Sequence, residues 1–150
     1  MISTEIIHKE IDLIQSCINR MANNSFLLKG WYISLMAVVL AILLNNEFSN
    51  VLSAIFITLL ITGMFWALDG FFLMCEKLYR AKYVWVIQKR IEGCEDYLYD
   101  LNPYNKNMWL KDNTKETCIL FSIFSKTLSP FYGIFLLVSV VIFITTYYCC

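Results

Sequence analysis

Twenty-five consecutive residues, Val51–Cys75, carry a single charged side chain, Asp69. At about 1.5 Å per residue a helix of that length outreaches a hydrocarbon core of about 30 Å, so the run reads as a membrane span whose end emerges or tilts. Two further runs join it. Phe26–Leu44 is interrupted only by Lys29, whose stem can snorkel to the headgroups, and Trp31 and Tyr32 sit just inside, where interfacial aromatics belong. Phe131–Tyr148 is uncharged, and the preceding Ser129-Pro130 reads as an N-cap with proline at the first helical position. Asn45–Asn50 is a short polar connection. Composition agrees: of 150 residues, 59% are hydrophobic and 16% charged, against about 25% charged in soluble domains. A chain this small cannot hide that excess in one core, which excludes a soluble monomer. Five glycines and two prolines exclude collagen-like and disordered classes.

Orientation follows from lysine and arginine. Lys9, Arg20 and Lys29 lie at or before the first span, and the first loop has no basic residue. The stretch after the second span holds Lys77, Arg80, Lys82, Lys89, Arg90, Lys106, Lys111, Lys115 and Lys126, and nothing basic follows Pro130. The N-terminus and residues 76–129 are expected in the cytoplasm and the C-terminus outside. Residues 1–25 lack the basic start, apolar run and cleavage site of a secretory signal, so the first span is expected to remain as an anchor.

Outside the spans the pattern is still helical. Ile7, Ile11, Ile14, Ile18 and Met21 recur at spacings of 4, 3, 4 and 3, a heptad-like seam. It suits packing on the same chain or the membrane as well as a contact between subunits. Ser3 or Thr4 can cap its start, with Glu5 in the first turn. Glu76–Glu92 should continue the second span as helix, Asn102-Pro103 breaks the next segment, and Cys118–Ser125 is a short apolar piece. The fold expected is an all-α integral membrane protein forming one domain over 1–150: a helix at 1–25, transmembrane helices at 26–44, 51–75 and 131–148, and a helical cytoplasmic segment at 76–129, in an oligomeric bundle.

Catalytic constellations are sparse. His8 is the sole histidine and has no nucleophile placed beside it in sequence, and six cysteines (Cys17, Cys75, Cys94, Cys118, Cys149, Cys150) form no C-x-x-C pattern, which argues against zinc. Without a glycine-rich phosphate loop either, no enzyme, cofactor, catalytic residue or metal site is expected.

On the second span, Thr58, Thr62, Asp69, Glu76 and Arg80 fall within about 40° of one another at 100° per residue. A carboxylate at the centre of a span costs about 2.5–3.5 kcal/mol on insertion scales, and such groups face a bundle interior or a wet cavity. Three helices are not expected to enclose such a stripe unaided. The stripe, with Thr58, Thr62, Asp69 and Glu76, is a candidate pore lining. The structural alternative pairs Asp69 with Lys29 or Arg80 at the end of the span. Gly63 and Gly70 lie on another face, where small residues allow close helix approach. With the Ile7–Met21 seam they are candidate contacts of a homo-oligomer, for which a closed ring of four is expected.

Basic and aromatic side chains alternate in Tyr79-Arg80-Ala81-Lys82-Tyr83-Val84-Trp85-Val86-Ile87-Gln88-Lys89-Arg90. Arg80, Lys82, Tyr83, Trp85, Lys89 and Arg90 can track phosphates and stack bases, as in sequence-tolerant binding of single strands. They can equally be positive-inside charge with an aromatic belt.

Arg20-Met21-Ala22-Asn23-Asn24-Ser25-Phe26-Leu27-Leu28-Lys29-Gly30-Trp31 and Phe65-Trp66-Ala67-Leu68-Asp69-Gly70-Phe71-Phe72-Leu73-Met74-Cys75-Glu76-Lys77-Leu78-Tyr79-Arg80 resemble the first-span entry and second-span exit of a family of small bacterial membrane proteins encoded among phage-defence genes. The family pattern is matched by Asn24, Ser25, Lys29, Gly30, Trp31, Trp66, Asp69, Glu76 and Arg80. The resemblance implies an inner-membrane effector: an oligomeric ion channel controlled by single-stranded DNA or a nucleotide from a nucleotidyltransferase-like partner encoded nearby, whose opening depolarises an infected cell. A non-conducting anchor that recruits a cytosolic partner is the alternative.

Overall fold

The computed structural model describes residues 3–44, 51–109 and 118–149. Among them every regular element is helical: α1 (Thr4–Leu44), α2 (Val51–Ile91), a single 3₁₀ turn (Lys106–Met108), α3 (Ile119–Ile123) and α4 (Leu128–Cys149). Three helices are long and apolar enough to cross a membrane, over Thr4–Ile42, Ile55–Ile91 and Leu128–Thr145. The loop expected at Asn45–Asn50, and Lys111 and Lys115 of the cytoplasmic segment, lie outside the described residues.

The ends of the helices follow local chemistry. Ser3 caps α1, its hydroxyl accepting from the Glu5 N–H at 3.3 Å. The helix then runs 41 residues without the break drawn at Ser25: Asn23, Asn24, Ser25 and Gly30 are weak helix formers, but no proline interrupts the run. Gly93 (φ +77°) ends α2. The Cys94 N–H reaches the Lys89 carbonyl and the Gly93 N–H that of Arg90, the paired bonds of a Schellman cap that only a left-handed residue allows. Helix α4 begins earlier than Ser129-Pro130 suggested. The Ser125 hydroxyl accepts from the Leu128 N–H at 3.3 Å, and Pro130 lies inside the first turn, where a missing N–H costs nothing.

The chain divides into two units. The first combines residues 1–25 with 71–122. Ile14, Cys17 and Ile18 of α1 pack with Tyr79, Trp85 and Val86 of α2 and with Met108, while Met21 and Trp109 close over Met74, Cys75 and Leu78. The Ile7–Met21 seam supplies the chain's own core through Ile14, Ile18 and Met21, while Ile7 and Ile11 stay partly exposed.

The second unit combines residues 26–70 with 123–150. Its apolar side chains point largely outward, among them Phe26, Trp31, Phe56, Ile134 and Leu137, as lipid-facing surfaces do. Tyr32 lies at its centre, with no exposed surface and its ring 5.1–6.1 Å from those of Phe65, Phe131, Tyr132 and Phe135. Of the two residues expected at the interfacial belt, Trp31 is exposed and Tyr32 is buried, since neighbours in a helix point about 100° apart.

Candidate functional sites

In the second unit, each spanning helix contributes to one polar cluster. From α1, Lys29 Nζ lies 2.6 Å from Oδ2 of Asp69 on α2. From α4, the Tyr132 hydroxyl donates to the same oxygen at 3.1 Å. The carboxylate is fully buried, while the lysine side chain keeps about a quarter of its surface. Further along α2, the Thr62 hydroxyl bonds back to the Thr58 carbonyl at 2.8 Å and meets the Tyr32 hydroxyl at 3.1 Å. Each polar group thus finds a partner in a medium where an unsatisfied one would cost several kcal/mol.

In this conformation the candidate pore lining faces inward. Thr58, Thr62 and Asp69 are buried inside one protomer, and three helices do enclose them, because Tyr32 and Tyr132 bring hydroxyls that the stripe alone did not reveal. Glu76 belongs to the other unit and holds Arg80 through bonds of 2.8 Å from Nε and Nη2, an i,i+4 pair. Asp69 pairs with Lys29, the structural alternative.

The two glycines of the expected packing face part company. A Cβ on Gly70 would collide with the Ile123 side chain and lie 3.2 Å from its Cα, so this glycine seats the end of α3. The Trp66 indole N–H donates to the Ile123 carbonyl at 2.8 Å, fixing the same residue. Nothing lies within 4 Å of a Cβ on Gly63, which remains open for a neighbour.

The basic–aromatic stretch is also corrected. Lys82, Trp85 and Arg90 are buried in the first unit and do not form an exposed phosphate rim. Lys82 Nζ donates to the Asn102 carbonyl at 2.9 Å and lies 3.3 Å from Asp100. Burial lowers its pKa from the usual lysine value, and Asp100 offsets this in part. Arg90 meets Glu10 two-pronged, Nε to Oε2 at 2.8 Å and Nη2 to Oε1 at 3.0 Å. Nη1 also donates to the carbonyls of Cys94 and Asp96, and Oε1 of Glu10 accepts from the Tyr99 N–H at 3.0 Å. The Glu10 carboxylate strengthens the guanidinium's hold on its proton. Of the six proposed contacts, Arg80 is exposed, while Tyr83 and Lys89 are partly so, Lys89 being bonded to Glu92 at 2.6 Å.

No family model, curated protein or solved structure matches this chain. The sites rest on their own geometry.

The sequence reading missed Glu10, Tyr32, Asp100 and Tyr132. Glu10 carried a signal, an acid one turn from the buried isoleucines on the seam side of α1. Tyr132 carried none, since one tyrosine among aromatics does not disclose a carboxylate opposite.

Proposed function

We propose that the chain is an ion-conducting membrane effector of a bacterial anti-phage system, resembling the membrane effector of the Hailong system. On this reading it is a homo-oligomer, a tetramer by our choice, in the inner membrane with the N-terminus cytoplasmic and the C-terminus outside. The observation that carries the reading is the Lys29–Asp69–Tyr132 cluster within a unit whose apolar side chains face outward. An ionisable pair at membrane depth is expensive, and the usual return is an ion path or a switch. With the pair joined, the stripe is sealed within the protomer. Separating Lys29 from Asp69 would present both charges to water and open a polar path. Conduction is therefore assigned to a state in which this pair is parted.

Control by single-stranded DNA or a nucleotide, made by a nucleotidyltransferase-like partner, belongs to the same reading. Arg80 and Lys89 are the basic side chains of the stretch that remain accessible to phosphate. A ligand shifts gating only by its differential affinity for the closed and open states. Ion flux from purified protein in liposomes, with and without short single-stranded DNA, tests the proposal. Flux that the DNA modulates and Arg80→Ala blunts is the expected result.

A second reading, a non-conducting anchor that recruits a cytosolic partner, is favoured by one observation: the stripe's Thr58, Thr62 and Asp69 all have partners inside the protomer. A correctly inserted oligomer that passes no ions would decide for it.

A further inference from the structure

Residues 117–125, between Glu116 and Lys126, carry no charge. Within them α3 is built inside out. Ser122, its one polar side chain, has no exposed surface, whereas Leu120 is 60% exposed, Phe121 64% and Phe124, the residue after the helix, 67%. Counted along a helix, Leu120, Phe121 and Phe124 project within about 100° of one another, as one face. In water this arrangement hides the group that hydrates well and displays the groups that do not. Crossing a bilayer is beyond its reach, since the five residues of α3 rise only about 7.5 Å.

The end of α3 is fastened at a definite depth. Ile123 is seated on Gly70 of α2, the Trp66 indole N–H holds the Ile123 carbonyl at 2.8 Å, and the Phe124 ring stands edge-on to Trp66 at 5.7 Å. Trp66 is itself fixed, stacked on Tyr132 of α4 at 5.8 Å. Gly70 lies five residues before the end of the apolar run at Cys75, so this seat is about 7.5 Å of helix inside that end. The indole bond fits the depth. A carbonyl at a helix end in water turns to solvent, whereas one below the headgroups needs a donor from the protein. Amphipathic segments settle about 5–10 Å into the boundary between headgroups and acyl chains, the depth that the seat on Gly70 sets.

We infer that α3 with Phe124 is a wedge inserted into the leaflet at the Asp69 end of the spans, and that the partner of its exposed face is lipid acyl chain. Leu120, Phe121 and Phe124 are the inserted side chains, and the exposed Lys126 that follows them marks the return to the headgroups. The depth selects the occupant. An uncharged face offers nucleic acid nothing to bind, and a protein that stays in water does not reach side chains seated beside Gly70. The inference rests on the membrane spans alone and is independent of conduction and of any gating ligand.

The test places trifluoromethyl-phenylalanine at Phe121, Phe124, Leu137 or Tyr97, one position at a time, in the full chain in nanodiscs. Fluorine relaxation by dissolved oxygen, which partitions into lipid, is compared with relaxation by a water-soluble gadolinium chelate. Leu137, exposed on α4, and Tyr97, exposed beside the acidic Asp96, serve as lipid and water references. Phe121 and Phe124 are expected to follow Leu137, with an oxygen-to-chelate ratio at least about fivefold above that of Tyr97. A ratio at Phe121 and Phe124 matching that of Tyr97, with Leu137 still high, would overturn the wedge and leave the spans standing. A low ratio at Leu137 would overturn the spans and the wedge together. A benzophenone photocrosslinker at Phe124 should attach to lipid, and one that instead joins two copies of this chain would also overturn the inference.

Discussion

Lys29 and Asp69 meet at 2.6 Å across two helices, and the carboxylate retains no exposed surface. The pair is unequal. The lysine stem can carry its charge toward headgroups, whereas Asp69 has no route to water in this conformation. Lys29→Met should therefore destabilise the protein by about 3–5 kcal/mol, the usual result of stranding a buried charge. Asp69→Asn should cost less, and Lys29→Met/Asp69→Leu should recover part of the loss. Unfolding in bicelles followed by circular dichroism measures all three. Equal effects of the single changes would show that both charges are equally trapped.

Gly70 and Gly63 make a matched comparison on one helix. Valine carries the same helix penalty at both, so the difference reports contact alone. Gly70→Val should lower stability by about 1–3 kcal/mol or more, because Ile123 backbone as well as side chain stands in the way. Gly63→Val should leave the unfolding of the protomer within about 0.5 kcal/mol. If Gly63 joins two subunits, the larger Gly63→Leu should shift the mass of the detergent-solubilised oligomer without altering protomer stability.

Removing Glu10 strands a buried guanidinium and releases the Tyr99 N–H together. Glu10→Gln keeps part of the hydrogen bonding and Glu10→Ala none. Amide exchange at Tyr99 should accelerate in both, more in alanine, while amides of α4 should be unaffected. Exchange at Tyr99 that is unchanged in Glu10→Ala would show that the loop holds its shape without the carboxylate.

Acid should loosen the turn at Asp100. The Asn105 amide, the Asn102 N–H and Lys82 hold its carboxyl below the usual value, so the unfolded chain binds a proton more readily than the folded one. The resulting stability is present above the unfolded aspartate value of about 3.9 and is lost as pH falls through the folded one. Lys82, lowered by burial, acts in the alkaline range: stability rises as pH climbs from its folded value to the unfolded one near 10.4. Protection of the Asn102 amide, its exchange rate taken relative to the intrinsic rate at each pH, should fall at the acid end of pH 2.5–6, and Asp100→Asn should abolish that dependence.

What was legible in the sequence tracks how local the cause is. Three helices long and apolar enough to cross a membrane, the helix continuing past Cys75 to the end of α2 and the Ser3 cap arise from runs of residues and single side chains, and all appear. The Ile14–Ile18 face was legible as a seam but not as to its partner, because a heptad spacing says that a face is buried, not against what. The largest misreading concerns Lys82, Trp85 and Arg90. A basic–aromatic alternation looks the same whether its charges meet phosphate or a carboxylate some eighty residues away, as Arg90 meets Glu10. Likewise, 100° periodicity placed Thr58, Thr62 and Asp69 on one face, but whether that face opens outward or inward depends on Tyr32 and Tyr132 from other helices.

The cluster around Asp69 also bears on how the chain is made. Its two charged members come from α1 and α2, and the neutral one, Tyr132, from α4. Helices that leave the ribosome in that order can enter a bilayer as a hairpin, with the ammonium already covering the carboxylate. The last helix then has only a hydroxyl to add. Reversing the allocation, with Lys29 and Tyr132 exchanged, would leave an aspartate waiting for its counter-charge until synthesis was almost complete. The order of partners along the chain thus spares the nascent protein a lone charge during insertion.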